Sequence, residues 1–90
     1  MNDVSSYKIP DVISRLSSIE GHIRGIKKMA EEGRSLKELL LQVSAVKSAI
    51  NAVGRVILED YLEDCVVDGI RQPSDSEVLD RMKKALEKFI

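Results

Sequence analysis

Between Ile9 and Ala30 the apolar residues fall at Ile9, Val12, Ile13, Leu16, Ile19, Ile23, Ile26 and Ala30. Steps of three and four place them along one side of an α-helix. The spacing therefore predicts a first helix beginning near Pro10, a residue suited to a first turn. The polar run "EEGRS" around Gly33 predicts its end, with the glycine as a left-handed cap. Ser35 followed by Glu38 has the spacing of a capping box, so a second helix starts at about Leu36. Gly69 and Pro73 supply its stop signals and predict an end near Asp68. A helix of that length spans about 45 Å. A third helix follows "QPSDSE", with Ser74 as its cap and Glu77 three residues on. Its apolar positions are Val78, Leu79, Met82, Leu86 and Phe89, with Lys83, Lys84 and Lys88 outward.

The second helix carries two apolar stripes. Leu39, Val43, Val46, Ile50, Val53 and Ile57 form one; Leu41, Ala45, Ala49, Ala52 and Val56 form the other. One short partner helix cannot cover both, and a helix apolar nearly all round must be buried. The pattern predicts at least a homodimer with this helix at its centre, and Ala45, Ala49 and Ala52 permit close helix approach. Composition agrees. The chain has 90 residues and only three aromatic ones, and Leu, Ile, Val, Ala and Met make up most of its apolar content. That favours a single all-α domain over residues 1–90, too small to be comfortable alone. The stretch from Leu39 to Leu58 is long enough to span a bilayer, but Gln42, Lys47, Asn51 and Arg55 interrupt it. The first twelve residues lack the pattern of a signal peptide, and one cysteine suits a reducing compartment. A cytoplasmic location is expected, without a membrane partner.

The net charge of −1 hides an uneven distribution. Residues 8–28 hold Lys8, Arg15, Arg24, Lys27 and Lys28 against Asp11 and Glu20. Residues 59–80 hold eight acids against Arg71, and the last ten residues are basic again. Such asymmetry fits either a nucleic-acid face or an ordinary patchy surface.

The blocks "RLSSIEGHIRGIKKMAEEGR" (15–34) and "LLLQVSAVKSAINAVGRVILEDYLEDCV" (39–66) resemble the CsoR/RcnR/FrmR family of bacterial transcriptional repressors. The resemblance covers nearly the whole chain. It implies a three-helix protomer with a long central helix, assembling as an antiparallel helical-bundle dimer or dimer of dimers. It also implies binding to duplex operator DNA without a helix-turn-helix, with release by an effector. Arg15 and Arg55, supported by the resemblance, and Lys47 with them are the leading candidate DNA contacts. His22, on the side of Arg15, is either a further contact or a hydrogen-bonding residue, and Arg24 either extends the basic surface or belongs to a solvated helix face. Arg55 and Lys47 are the two charges inside the apolar stretch Leu39 to Leu58, where a charge needs a partner or an exposed position. An ion pair of Arg55 with Glu20 or Glu59 is the structural alternative to a phosphate or base-edge contact.

In the copper-sensing branch, a cysteine near the start of the second helix of one protomer meets a His-x-x-x-Cys pair of the other. Those positions here are Leu36, Tyr61 and Cys65. Only Cys65 matches, so it is the one candidate metal ligand. Copper(I) selects soft thiolate and imidazole ligands; leucine is no ligand and a neutral phenol is a poor one. Persulfide, formaldehyde and nickel or cobalt sensing in the relatives also use the cysteine replaced by Leu36, and His22 is the chain's single histidine. The residues thus argue against copper(I) and for no resident cofactor. Leu36, Tyr61 and Cys65 are left as an effector pocket or a vestigial metal site. A buried structural thiol is the plain reading of Cys65. A reactive thiol needs exposure and cationic neighbours, whereas Glu63 and Asp64 are acidic. Glu59, Asp60, Glu63 and Asp64 offer oxygens to a hard cation, or simply a solvated face.

Two other functions compete with a repressor of unknown or lost effector. One is a helical interaction module, including a hetero-oligomer partner of a complete sensor. The other is a small all-α enzyme of chorismate-mutase type, which "RLSSIEGHI" superficially resembles. No matching second block supports the enzyme, and a non-enzymatic role is expected.

Overall fold

In a computed structural model of the chain, residues 8–71 and 77–90 are described. They form three helices: α1 (Ile9–Glu31), α2 (Leu36–Arg71) and α3 (Glu77–Phe89). α1 opens with Pro10 in its first turn and Asp11 beside it. It closes at Gly33, whose φ of 76° is the left-handed conformation the sequence predicts. The Arg34 N–H reaches the Met29 carbonyl at 3.0 Å and the Gly33 N–H reaches Ala30 at 3.1 Å. Those two bonds are a Schellman closure. At the start of α2 the Glu38 N–H donates to the Ser35 hydroxyl at 3.1 Å, and that hydroxyl donates back to the Glu38 carboxylate. Arg34 adds a bond to the same carboxylate at 2.9 Å. Arg34 and Ser35 together hold Glu38 below its usual carboxylate value.

The short turn makes α1 and α2 an antiparallel hairpin. Val12, Ile19, Val46 and Val53 form its core, with Ile26, Ala49 and Val56 packed against it. Val12, Ile19 and Ile26 recur every seven residues, as do Val46, Val53 and Asp60. This is the seam spacing of two helices packed at a shallow angle. α1 sits between the two apolar stripes of α2, taking Val46 and Val53 from one and Ala49 and Val56 from the other. Ile13, Leu16 and Ile23 of α1, and Val43, Ile50 and Ile57 of α2, stay about half exposed. The predicted α1 stripe is thus wider than the face that α2 covers.

α2 runs three residues beyond the expected end and is 36 residues long, about 54 Å. Gly69 does not stop it. A lone glycine only weakens a helix, by about 1 kcal/mol, and this one lies under α3, with Val78 close by. Pro73 and the expected cap Ser74 lie outside the described residues. α3 packs on the C-terminal half of α2 through Val78, Met82, Ala85 and Phe89, while Leu79 stays exposed. Lys83, Lys84 and Lys88 are exposed as predicted. The chain measures 58 × 25 × 13 Å, a layer one helix thick. No described helix is long and apolar enough to cross a membrane.

Candidate functional site

Antiparallel pairing sets Arg15 of α1 opposite the middle of α2. There Arg15 and Arg55 line one hollow of about 460 Å³ with Ala52, Val56, Leu58, Glu59 and Leu62. Arg15 Nε donates to Asp11 Oδ2 at 2.8 Å, one turn earlier on α1. Arg55 is exposed, and among the described residues neither Glu20 nor Glu59 forms an ion pair with it. The ion pair weighed for Arg55 is therefore not formed, and Glu20 faces Arg24 at 3.9 Å instead. The hollow thus presents two guanidinium groups, groups suited to phosphate oxygens, together with the Glu59 carboxylate and with Arg15 already paired to Asp11.

The other three basic candidates are placed differently. His22 is half-buried in the seam, with its Nε2 2.7 Å from Gln42 Oε1, so it ties α1 to α2. Arg24 lines a separate hollow with Leu16, Ile19, Glu20, Ile23 and Ile50. Lys47 is exposed, about 12 Å along α2 from Arg55 and turned away from it by roughly 80°. Structure brings Arg15 and Arg55 together and leaves His22, Arg24 and Lys47 apart.

Leu36, Tyr61 and Cys65 do not meet within one chain. All three lie on α2, and Leu36 is 25 residues before Tyr61, about 38 Å along the axis. Leu36 is 85% exposed. Only another chain can bring its position to Tyr61 and Cys65. Those two stand one turn apart, on the side of α2 that α3 covers. Cys65 is 0% exposed and forms no disulfide. Tyr61 lines an apolar hollow of about 330 Å³ with Gly54, Ile57, Leu58, Ala85 and Phe89. Arg81 of α3 reaches Asp68 at 3.0 Å. The Asp68 carboxylate holds the Arg81 guanidinium above its ordinary value, and Cys65 and Tyr61 are near enough to add to that.

This donor set does not fit copper(I). It offers one fully covered thiol, one phenol and a hydrocarbon side chain, where a soft ion needs thiolates or imidazoles. The acidic group is also engaged. Lys8 stands 3.0 Å from Asp60 Oδ1 and 3.3 Å from Glu63 Oε1. Oδ1 of Asp60 takes no hydrogen bond among the described residues, so the Lys8 contact is an ion pair. Both carboxylates raise the Lys8 ammonium above its ordinary value, Asp60 the more. Among the described residues, no three His, Cys, Asp or Glu side chains are grouped to hold a metal ion.

Sequence reasoning missed Gln42, Asp11 and Arg81 as partners. A polar residue on an apolar seam was the available signal for Gln42, and i,i+4 spacing was the signal for Asp11. Arg81 had none, because its partner Asp68 depends on how α3 folds back.

Comparison with known proteins bears on what this arrangement serves. The family described as metal-sensitive transcriptional repressor matches residues 8–88. The copper-sensing transcriptional repressor CsoR of Bacillus subtilis is 34% identical over 89 residues, covering 99% of this chain and 88% of that protein. CsoR of Mycobacterium tuberculosis is 35% identical over 75 residues, covering 79% of this chain and 63% of that protein. Among solved structures, the nickel-responsive transcriptional regulator InrS superposes with a TM-score of 0.83 at 40% identity, covering 90% of this chain and 91% of that one. The copper-sensing repressor CsoR with Cu(I) from Geobacillus thermodenitrificans also gives 0.83, at 32% identity, covering 99% and 93%. These relatives are repressors and regulators rather than enzymes. With the fold and a match over nearly every described residue in agreement, the chain belongs to the family of metal-sensitive transcriptional repressors.

Proposed function

We propose that this repressor docks on duplex operator DNA through Arg15 and Arg55, and that its effector is not copper(I). The observation that carries the docking is the shared hollow of the two arginines on the α1–α2 surface. Guanidinium groups bind phosphate oxygens in a bidentate way, so such contacts supply affinity and fix position while carrying no sequence information. A symmetric pair of chains would present two such hollows to a pseudo-palindromic site. His22 supports the surface by tying α1 to α2, while Arg24 and Lys47 lie apart from the hollow and are secondary candidates for contact. The relatives sense copper or respond to nickel. The case against copper here is the chemistry of Leu36, Tyr61 and Cys65.

The test is binding of the reduced, metal-free protein to duplex DNA from its own upstream region at two salt concentrations. Saturable, selective and salt-sensitive binding is expected. Arg15→Ala and Arg55→Ala should each weaken it about tenfold or more and lower the salt slope by about one. Failure to bind any duplex would overturn the docking. Anaerobic copper(I) titration against a chelator tests the rest, since tight uptake of one ion per chain contradicts a non-copper effector. The exposure of Leu36 favours a second reading, in which a related chain supplies the missing donor from its own second helix. Co-purification of a partner of similar size would support that hetero-oligomer.

A further inference from the structure

Two carboxylates stand at the arginine hollow, and the docking does not use them. Asp11 holds Arg15 by a 2.8 Å ion pair, and Glu59 lines the same hollow as both arginines without pairing to Arg55. Phosphate oxygens and these carboxylates compete for the same guanidinium protons. A phosphate arriving at Arg15 must compete with Asp11 for the same guanidinium and enter a hollow that also holds the Glu59 carboxylate. We infer that Asp11 and Glu59 are built-in counter-charges that hold down the affinity of the Arg15–Arg55 hollow for the DNA backbone, so that the repressor binds below the strength its arginines allow. This rests on the docking proposed above. On release from Arg15, Asp11 takes up a solution cation, which offsets part of the counterion release that drives DNA binding; Glu59 acts on the arriving phosphate as a like charge at the hollow. Because the contest is over phosphate, the restraint acts equally on every sequence.

A matched control is available in α3. Asp80 is also a first-turn acid, paired with a cation one turn later, Lys84, at 3.1 Å, and it is absent from the arginine hollow. Asp11→Asn, Glu59→Gln and Asp80→Asn each change net charge by the same amount. The experiment measures the affinity of the full chain for operator and random duplexes by fluorescence anisotropy over a range of salt, with circular dichroism as the check on folding. Asp11→Asn and Glu59→Gln should each tighten binding about three- to tenfold on both duplexes. The slope against salt should steepen by up to about one for each. Asp80→Asn should change affinity by less than about twofold. Equal tightening in Asp80→Asn would reduce the effect to net charge and overturn the inference, as would unchanged affinity in the first two variants or a gain confined to the operator. If the unsubstituted protein binds DNA and these outcomes fail, this inference alone falls. If it binds no duplex, the docking itself falls.

Discussion

At Gly54 the Phe89 ring occupies the space that a Cβ would take. Gly54→Ala must push the ring aside, yet alanine strengthens the helix by about 1 kcal/mol. The two effects oppose each other, so the thermal midpoint should change little while amide exchange across α3 speeds up. Phe89→Ala should speed the same exchange without the compensating gain. Lys8 and Asp60 make a second residue-scale contact, with Asp60 buried on the seam. Lys8→Met leaves that carboxylate without its cation and should lower the melting temperature. The Lys8→Met, Asp60→Leu double variant should recover much of the loss, because removing both members of a buried pair costs less than removing one. At this scale the sequence was readable wherever chemistry alone decides. Leu36 cannot ligate whatever surrounds it, and Gly33 needs positive φ whatever follows. The Phe89 seat on Gly54 and the Arg81 bond to Asp68 were not readable, because both depend on where α3 comes to rest.

Helix ends are set by local signals, and the α1–α2 turn follows them closely. Glu38 illustrates how such an end responds to pH. Its folded value lies below the ordinary 4.5, through bonds from Arg34 first and Ser35 second. The charged form is therefore the one that stabilises. That contribution is complete above about the ordinary value and is lost as pH falls through the depressed one. Protection of the first-turn amides of α2, taken relative to their intrinsic exchange rate at each pH, should accordingly fall in acid. Glu38→Gln should flatten the pH response while raising exchange at neutral pH. The far end of α2 departs from its local signal, because α3 packed over Gly69 outweighs a lone glycine's preference to stop. A Cβ there would stand 3.6 Å from Val78 Cγ1, an ordinary contact. Gly69→Ala should thus stabilise the protein, by up to about 1 kcal/mol in thermal or denaturant unfolding. The contrast with Gly54 is a matter of packing that no pattern of residues announces.

The whole molecule is a layer 13 Å thick with apolar residues on both sides of its seam. The two stripes of α2 predict a companion chain, and the half-exposed apolar residues left by the packing agree with that expectation. Which residues would face the companion was not legible, since α1 covers the seam between the stripes instead of either one. Leu16, Ile23, Val43, Ile50 and Ile57 are the half-exposed remainder. Ile50→Lys leaves Val46 and Val53 in place, yet puts a charge among apolar neighbours in any assembly that covers this face. It should dissociate the protein in sedimentation experiments and make unfolding independent of concentration, whereas the unsubstituted protein should melt higher as it is concentrated. The half-exposed apolar face proposed to gather copies and the hollow that carries Arg15 and Arg55 are lined by different residues of one thin layer. Damage to the hollow therefore leaves recruitment intact. In a cell expressing both forms, Arg55→Ala chains would enlist normal ones into crippled assemblies, and the defect would be inherited as a dominant trait.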